Sequence, residues 1–266
     1  MPELPDIVVY LEALEERIIG ASLERVRIGN PFLLRSVTPP LRKAEGRRVT
    51  SLGRLGKRIV IGLQDDLFLV LHLMIAGRLH WRERGAPLHK RAGLAAFDFD
   101  SGTLTLTEAG SKRRAMLHVV SGRAALAAHD PGGIDPLDAD TAAYSGALAR
   151  ERHTLKRVLT DPRIFSGIGN TYSDEILHRA RLSPFKMCDA LDAAEAGRLR
   201  AACVSVLSDW TDRLRRESAG RFPENVTAFR DGMAVHGRYR RPCPDCGAPV
   251  QRIVHADNEA NYCPRC

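Results

Sequence analysis

No stretch of this chain approaches the roughly 20 consecutive apolar residues that a bilayer-spanning helix needs, which excludes an integral helical membrane protein. The opening residues, MPELPD, lack the basic-then-apolar layout of a secretory leader, so the expectation is a soluble intracellular protein. Internal repeats and low-complexity tracts are absent too, which sets aside solenoids and biased linkers. A disulfide framework is equally missing. Of six cysteines, four fall at the end of the chain as CPDC and CPRC, while Cys188 and Cys203 stand alone in helical-looking segments, as buried free thiols do.

The bulk composition is that of a globular protein. Its 266 residues are 44% hydrophobic and 27% charged, enough for one large domain or two modest ones. The formal charge of +8 is clustered in SKRRA (111–115), RHTLKR (152–157), RLRR (213–216) and HGRYRRP (236–242). Such patches attract nucleic acid through phosphate neutralisation, although a basic solvated surface explains charge alone equally well.

Periodicity divides the chain. Ile7, Val8, Leu11, Leu14 and Ile18 recur at helical spacing from Asp6 to Ile19, and Gly20 follows as a stop. RIVIGL, LFLVLHL and the two runs of LAAFDFDSGTLTLTE are strand-like, so the first half reads as a mainly antiparallel β-domain behind one helix. HDPGGIDPLDAD reads as a linker. TAAYSGALARE, TLKRVLTD, TYSDEILHRARL and DAAEAGRLRAACVSVLSDWTDRLRRE read as helices. The expected boundaries are 1–128 for the β-domain, 129–140 for the linker, 141–225 for the helical domain and 226–266 for a small metal module. The fold class is α+β, multidomain.

Three constellations carry chemistry. Cys243, Cys246, Cys263 and Cys266 form C-x2-C-x16-C-x2-C, a spacing that chelates one tetrahedral zinc. Four thiolates leave no coordination position open for water, so a structural role is expected. In SGIGNTYSDEILHRARLSP, Gly167 and Gly169 permit tight turns and Asn170 stands where a helix starts, a ready phosphate site; an ordinary helix–turn–helix connection fits the glycines as well. In LGKRIVI, Lys57 stands between a glycine turn and a strand, where a cation projects from a hairpin or is simply solvated.

Taken in order, the PELP start, the GK hairpin, HLMIAGRL, SKRRA, SGIGNTYSDEILHRARLSP and the four-cysteine finger resemble the formamidopyrimidine-DNA glycosylase / endonuclease VIII family of base-excision repair enzymes. The resemblance spans the whole chain. It implies an N-terminal β-sandwich with a flanking helix, a helix–two-turn–helix domain and a zinc finger. It also implies a bifunctional glycosylase and abasic-site lyase acting on double-stranded DNA with a damaged base or abasic site, as a cytoplasmic, nucleoid-associated monomer. Pro2, freed by removal of Met1, would attack C1′ as a secondary amine to give a Schiff base. Glu3 would be general acid and base, and Lys57 would hold a phosphate beside the sugar. The resemblance places Met74 and Arg113 in the gap left by the everted base. It puts Arg114, Lys156, Asn170 and Asn258 on DNA.

Two positions depart from the family pattern. Ala115 stands where the family has a gap-filling aromatic, with Met116 as the nearest substitute, and Asn258 stands where its finger carries an arginine. An amide lacks the charge and fork of a guanidinium. Either Arg252 or Arg265 compensates, or the branch has an altered substrate. The favoured expectation is a divergent but active enzyme. A non-catalytic or abasic-site-only DNA-binding member is the alternative, and a zinc-ribbon RNA-binding or protein-interaction factor would account for the charge and cysteines alone.

Overall fold

A computed structural model describes residues 1–110, 112–255 and 258–266, without the side chains of His255 and Asn258. The chain forms two compact units: Met1–Asp130 with Arg213–Val226, and Pro131–Asp212 with Thr227–Cys266.

The first unit opens with α1 (Leu4–Ile18), which buries Ile7, Tyr10, Leu14 and Ile18 along one stripe. It starts two residues earlier than the apolar spacing suggests, because Glu3 caps it and Pro5 is tolerated in the first turn. The strands follow: β1 (Ser22–Ile28), β2 (Arg47–Leu55), β3 (Arg58–Leu63), β4 (Leu67–His72), β5 (Gly77–Arg82), β6 (Gly93–Phe99), β7 (Gly102–Glu108) and β8 (Met116–Ser121). A short α2 (Arg123–Ala127) closes the series.

All eight strands pair antiparallel in the order β5-β7-β6-β1-β2-β3-β4-β8. β1 meets β2 through only Ser22↔Arg48 and Leu23↔Arg47, so the sheet bends there into two layers, a β-sandwich with a flanking helix. Leu23, Ile59, Ile61, Leu69, Phe97, Leu104 and Leu117 fill the space between layers, joined by α1. β3 and β4 are buried on both faces, since Val60, Phe68 and Val70 on the other side pack with Val120 and Leu126. That is why their sequences are continuous apolar runs rather than alternations. A two-pronged ion pair, Arg27 Nε to Asp98 Oδ2 and Nη2 to Oδ1, each 2.7 Å, ties β1 to β6.

The second unit holds α3 (Thr141–Ala149), α4 (Leu155–Thr160), α5 (Asn170–Ala180), most of α6 (Ala193–Ser218) and the hairpin β9 (Gln251–His255)–β10 (Asn258–Tyr262). Ring pairs Tyr144–Phe165 at 4.7 Å and Tyr172–Trp210 at 6.1 Å lie in its interior. The Pro/Gly/Asp-rich stretch expected as a linker is anchored: the Ile134 amide donates to Ile164 O at 3.0 Å, and Ser166 N to Ile134 O at 2.8 Å.

Residues 213–225 were expected with the helical domain and Val226 with the metal module, but all of them pack in the first unit. Arg215 pairs with Glu12 at 2.6 Å, Phe222 packs 5.7 Å from the Tyr10 ring, and Glu224 takes both Arg82 at 2.7 Å and His80 at 2.5 Å. Sequence period marks a helix but not its partner, so the end of α6 carried no sign of this allegiance.

Candidate active site and DNA-facing residues

Pro2 and Glu3 sit at the head of α1, both buried, with Glu3 1% exposed. The Glu3 amide donates to Asp6 Oδ2 at 2.9 Å, and the Glu3 carboxylate accepts the Asp6 amide in return, a reciprocal capping box. The helix start thus holds this acid in place, with its side chain tied to a first-turn amide. The terminal amine of Met1 shares these surroundings. Burial is the main cause lowering its pKa below the ordinary α-amine value, Glu3 and Asp6 oppose that, and Arg78 and Lys57 add to it.

Lys57 reaches this cluster from the β2–β3 hairpin. The pair Leu55↔Arg58 closes a two-residue loop, and Gly56 at φ +60° supplies the first loop position of a II′-type turn. Burial lowers the Lys57 pKa, and Glu3 works against that shift, which places the ammonium within the field of the acid. Glu3 and Lys57 are therefore brought together, with Pro2 adjoining Glu3.

His72 is a residue the motif reading passed over. It ends β4 opposite Arg58, and burial, then Arg58 and Lys57, push its pKa down to about 4. The ring is neutral at physiological pH. The Met74 amide donates to its Nδ1 at 3.2 Å, so the ring proton is on Nε2. The strand register held the signal: the β3–β4 hairpin sets position 72 beside 58, the residue that follows Lys57. Arg78 on β5 was likewise missed; its Nε donates to Val226 O at 2.5 Å.

Met74 was expected as the gap-filling side chain. It is half-buried at φ +53°, a left-handed conformation unfavourable for a side chain of this kind, and the exposed tip of the turn is Ile75, 52% accessible. Ile75 is thus a second apolar side chain that this turn presents beside Met74. Arg113 and Arg114 are exposed, as expected; an Arg113 Nη2 donates to Arg91 O, and the Arg114 and Ala115 amides both donate to buried Glu108 Oε2, at 2.8 and 3.0 Å. Ala115 is 3% exposed and turned inward, and Met116 is committed to β8 opposite His72. Neither fills the aromatic's place.

In the second unit, Asn170 is the first residue of α5, after Gly169 as N-cap. Its Oδ1 is buried and meets no donor among the described residues. Lys156, expected on DNA, requires correction. Its ammonium donates to Asn170 O at 2.8 Å, Ser173 Oγ at 2.9 Å and Asp174 Oδ1 at 2.5 Å, which engages all three protons inside the protein. Asp174 Oδ2 accepts from His236 Nδ1 at 2.8 Å and Asn261 Nδ2 at 3.0 Å, and Glu175 collects the amides of Ala234, Val235 and His236. Asn258 opens β10 across from His255, and its side chain lies outside the described residues. Arg252, named as a compensating cation, lies 4.7 Å over the Tyr239 ring and 3.7 Å from Glu259.

The four cysteines converge. Their sulfurs lie within 4.8 Å of one another, with Cys243–Cys266 at 3.7 Å and Cys246–Cys263 at 3.4 Å. Zinc–sulfur bonds of about 2.3 Å give a tetrahedral edge of about 3.8 Å, so the donor set and spacing fit one zinc. Full thiolate coordination makes it a structural metal.

Comparison with known proteins matches this division. Family-level sequence models match at residues 1–115 (formamidopyrimidine-DNA glycosylase N-terminal domain), 133–213 (the H2TH domain of the same enzymes) and 241–266 (zinc finger found in FPG and IleRS). A formamidopyrimidine-DNA glycosylase of Heliobacterium modesticaldum is 34% identical over 281 residues, covering 100% of this chain and 99% of its own. One of Thermus thermophilus is 32% identical, covering 100% and 98%. Among solved structures, MutM in complex with DNA containing carbocyclic 8-oxo-G superposes with a TM-score of 0.88 at 23% identity, over 100% of this chain and 99% of that one. The Lactococcus lactis Fpg complex with abasic-site DNA gives 0.87 at 22%, over 99% and 98%.

Proposed function

The chain belongs to the formamidopyrimidine-DNA glycosylase family, and from that premise we propose that it is a bifunctional DNA glycosylase and abasic-site lyase of base-excision repair. The observation that carries this reading is the head of α1: a buried Pro2–Glu3 pair whose acid is fixed by a helix cap and shares its field with Lys57.

Removal of Met1 turns the Pro2 nitrogen from a tertiary amide into a secondary amine. The surroundings suit it, because burial there already pulls a terminal amine toward its neutral, nucleophilic form. The amine's lone pair bonds to C1′ of the damaged nucleotide, and the base leaves with the bonding electrons and the proton that the amine nitrogen gives up. Opening of the sugar, protonated at O4′ with Glu3 as the acid, gives the iminium. The Glu3 carboxylate left by that transfer takes a C2′ proton, which expels the 3′ phosphate by cleavage of C3′–O, and a second elimination, with loss of the C4′ proton, expels the 5′ phosphate by cleavage of C5′–O. Water releases Pro2.

Lys57 neutralises the phosphate beside the reacting sugar. His72 Nε2–H adds a neutral donor next to it, which costs no further like charge against Lys57 and Arg58. Asn170 at the start of α5 binds a backbone phosphate, with Arg113, Arg114 and Ile75 acting at the duplex. Zinc on Cys243, Cys246, Cys263 and Cys266 supplies folding energy to the finger and takes no part in bond breaking.

The buried Ala115 favours abasic sites over intact lesions, since the 109–115 loop lacks an aromatic to stabilise the gap. Strand cleavage decides the proposal. Met-processed protein should nick a duplex at a single abasic site, with products of both eliminations, and Pro2→Gly should lose this. Salt-sensitive binding of the same duplex without cleavage would leave a DNA-binding protein and overturn the enzymatic reading.

A further inference from the structure

The metal site draws on a residue that lies far outside the finger in sequence. His178, on the last turn of α5, has a side chain only 5% exposed, and its Nε2 lies 3.3 Å from Cys243 Sγ. The same nitrogen is 3.8 Å from Asp245 Oδ2, beyond hydrogen-bond reach of an oxygen but within the knuckle. Backbone amides serve the knuckles themselves: Arg265 and Cys266 donate to Cys263 Sγ at 3.4 Å each, and the backbone at Asp245 and Cys246 serves Cys243. Cys243, 2% exposed, is the thiolate that adds a side-chain donor from another element.

We propose that His178 donates its Nε2–H to the zinc-bound thiolate of Cys243, which makes α5 the outer layer of the metal site. Four thiolates on one divalent ion leave a net double negative charge in a partly buried place. Each N–H directed at a sulfur spreads that charge, and such outer donors set metal affinity and release. The position also has a mechanical consequence. Asp174 and Glu175, one turn earlier on the same side of α5, hold His236, Asn261 and the amides of 234–236. His178 therefore completes a clamp between the finger and the helix whose first residue is Asn170. Zinc then orders α5 as well as the finger. This inference goes beyond the glycosylase reading and does not depend on it.

The test is zinc competition on the purified full chain. His178→Phe keeps bulk but removes the donor, and should weaken zinc binding about 10- to 100-fold, while His178→Gln, with an amide N–H, should recover part of the loss. In cobalt-substituted protein the thiolate-to-cobalt charge-transfer band of His178→Phe should shift, a change that altered packing alone does not produce. Affinity within about twofold of the parent and an unshifted band would overturn the proposal. Nitrogen NMR of the zinc-loaded parent chain keeps the test open should the variants misfold. Protonation at Nε2 of His178 is expected, and a proton at Nδ1 alone would contradict the donor role.

Discussion

Lys57 and Lys156 look alike in the sequence, each a cation beside a stretch expected to meet phosphate, yet they have opposite fates. Lys57 sits on a two-residue hairpin, with its pKa lowered by burial and Glu3 as its electrostatic counterweight. Lys156 is locked into the base of α5 by Asn170, Ser173 and Asp174. A lysine's chemistry depends on which groups have already taken its protons. The first region keeps strained and partly desolvated groups ready to act; the second satisfies its polar groups inward and serves as a support.

The comparison breaks most visibly on metal removal. Stripping zinc withdraws binding energy of about 10–16 kcal/mol by the standard of isolated fingers, so the finger and α5 should lose amide-exchange protection while the sandwich around Leu69 and Phe97 keeps it. Loss of protection spread evenly over both units would contradict the separation drawn here.

The lysines themselves sharpen it. Lys156→Ala leaves Asp174 buried without its ion-pair partner and should cost about 3–5 kcal/mol in denaturant unfolding. Lys57→Ala should leave stability within about 0.5 kcal/mol but cut abasic-site cleavage about 10²- to 10³-fold. Equal stability losses would erase the distinction.

His72 offers a pH readout within the first region. Its folded pKa of about 4 lies below the unfolded value of 6.5, so the unfolded chain binds the proton first. The His72 contribution is therefore fully present above pH 6.5, falls as pH drops from 6.5 toward 4, and levels off below that. NMR titration of the ring should show a midpoint near 4, with the Met74 amide shifting alongside as Nδ1 gains its proton. A midpoint near 6.5 would mean that the ring is not held as described.

The smallest effect concerns the turn after β4. Met74→Gly relieves a positive φ and should raise stability by up to about 1 kcal/mol. Ile75→Ala should leave stability alone and weaken binding to gapped or abasic duplex. Reversal of these two outcomes would assign the wedge to Met74.

Much of this organisation was legible in the sequence. Continuous apolar runs marked β3 and β4, helical spacing marked α1, and paired cysteines marked the zinc site, because each pattern reports a local period or a fixed ligand geometry. What stayed hidden depends on long-range partners. The inward commitment of Lys156 was hidden since Asp174 is reached only when α4 and α5 pack together, and the left-handed backbone at Met74 was hidden because residue type does not disclose backbone handedness. His72 and His178 meet neighbours distant in sequence, as do the end of α6, where Arg215 pairs with Glu12, and Phe222 beyond it, which packs on Tyr10.

The most direct measurement of the central claim is borohydride trapping of Met-processed protein on an abasic-site duplex, followed by mass-spectrometric location of the adduct. A reduced linkage on the Pro2 nitrogen, absent from Pro2→Gly and from protein that retains Met1, is the expected result. No adduct, or one on a lysine, would contradict the account of the α1 start as the reactive centre.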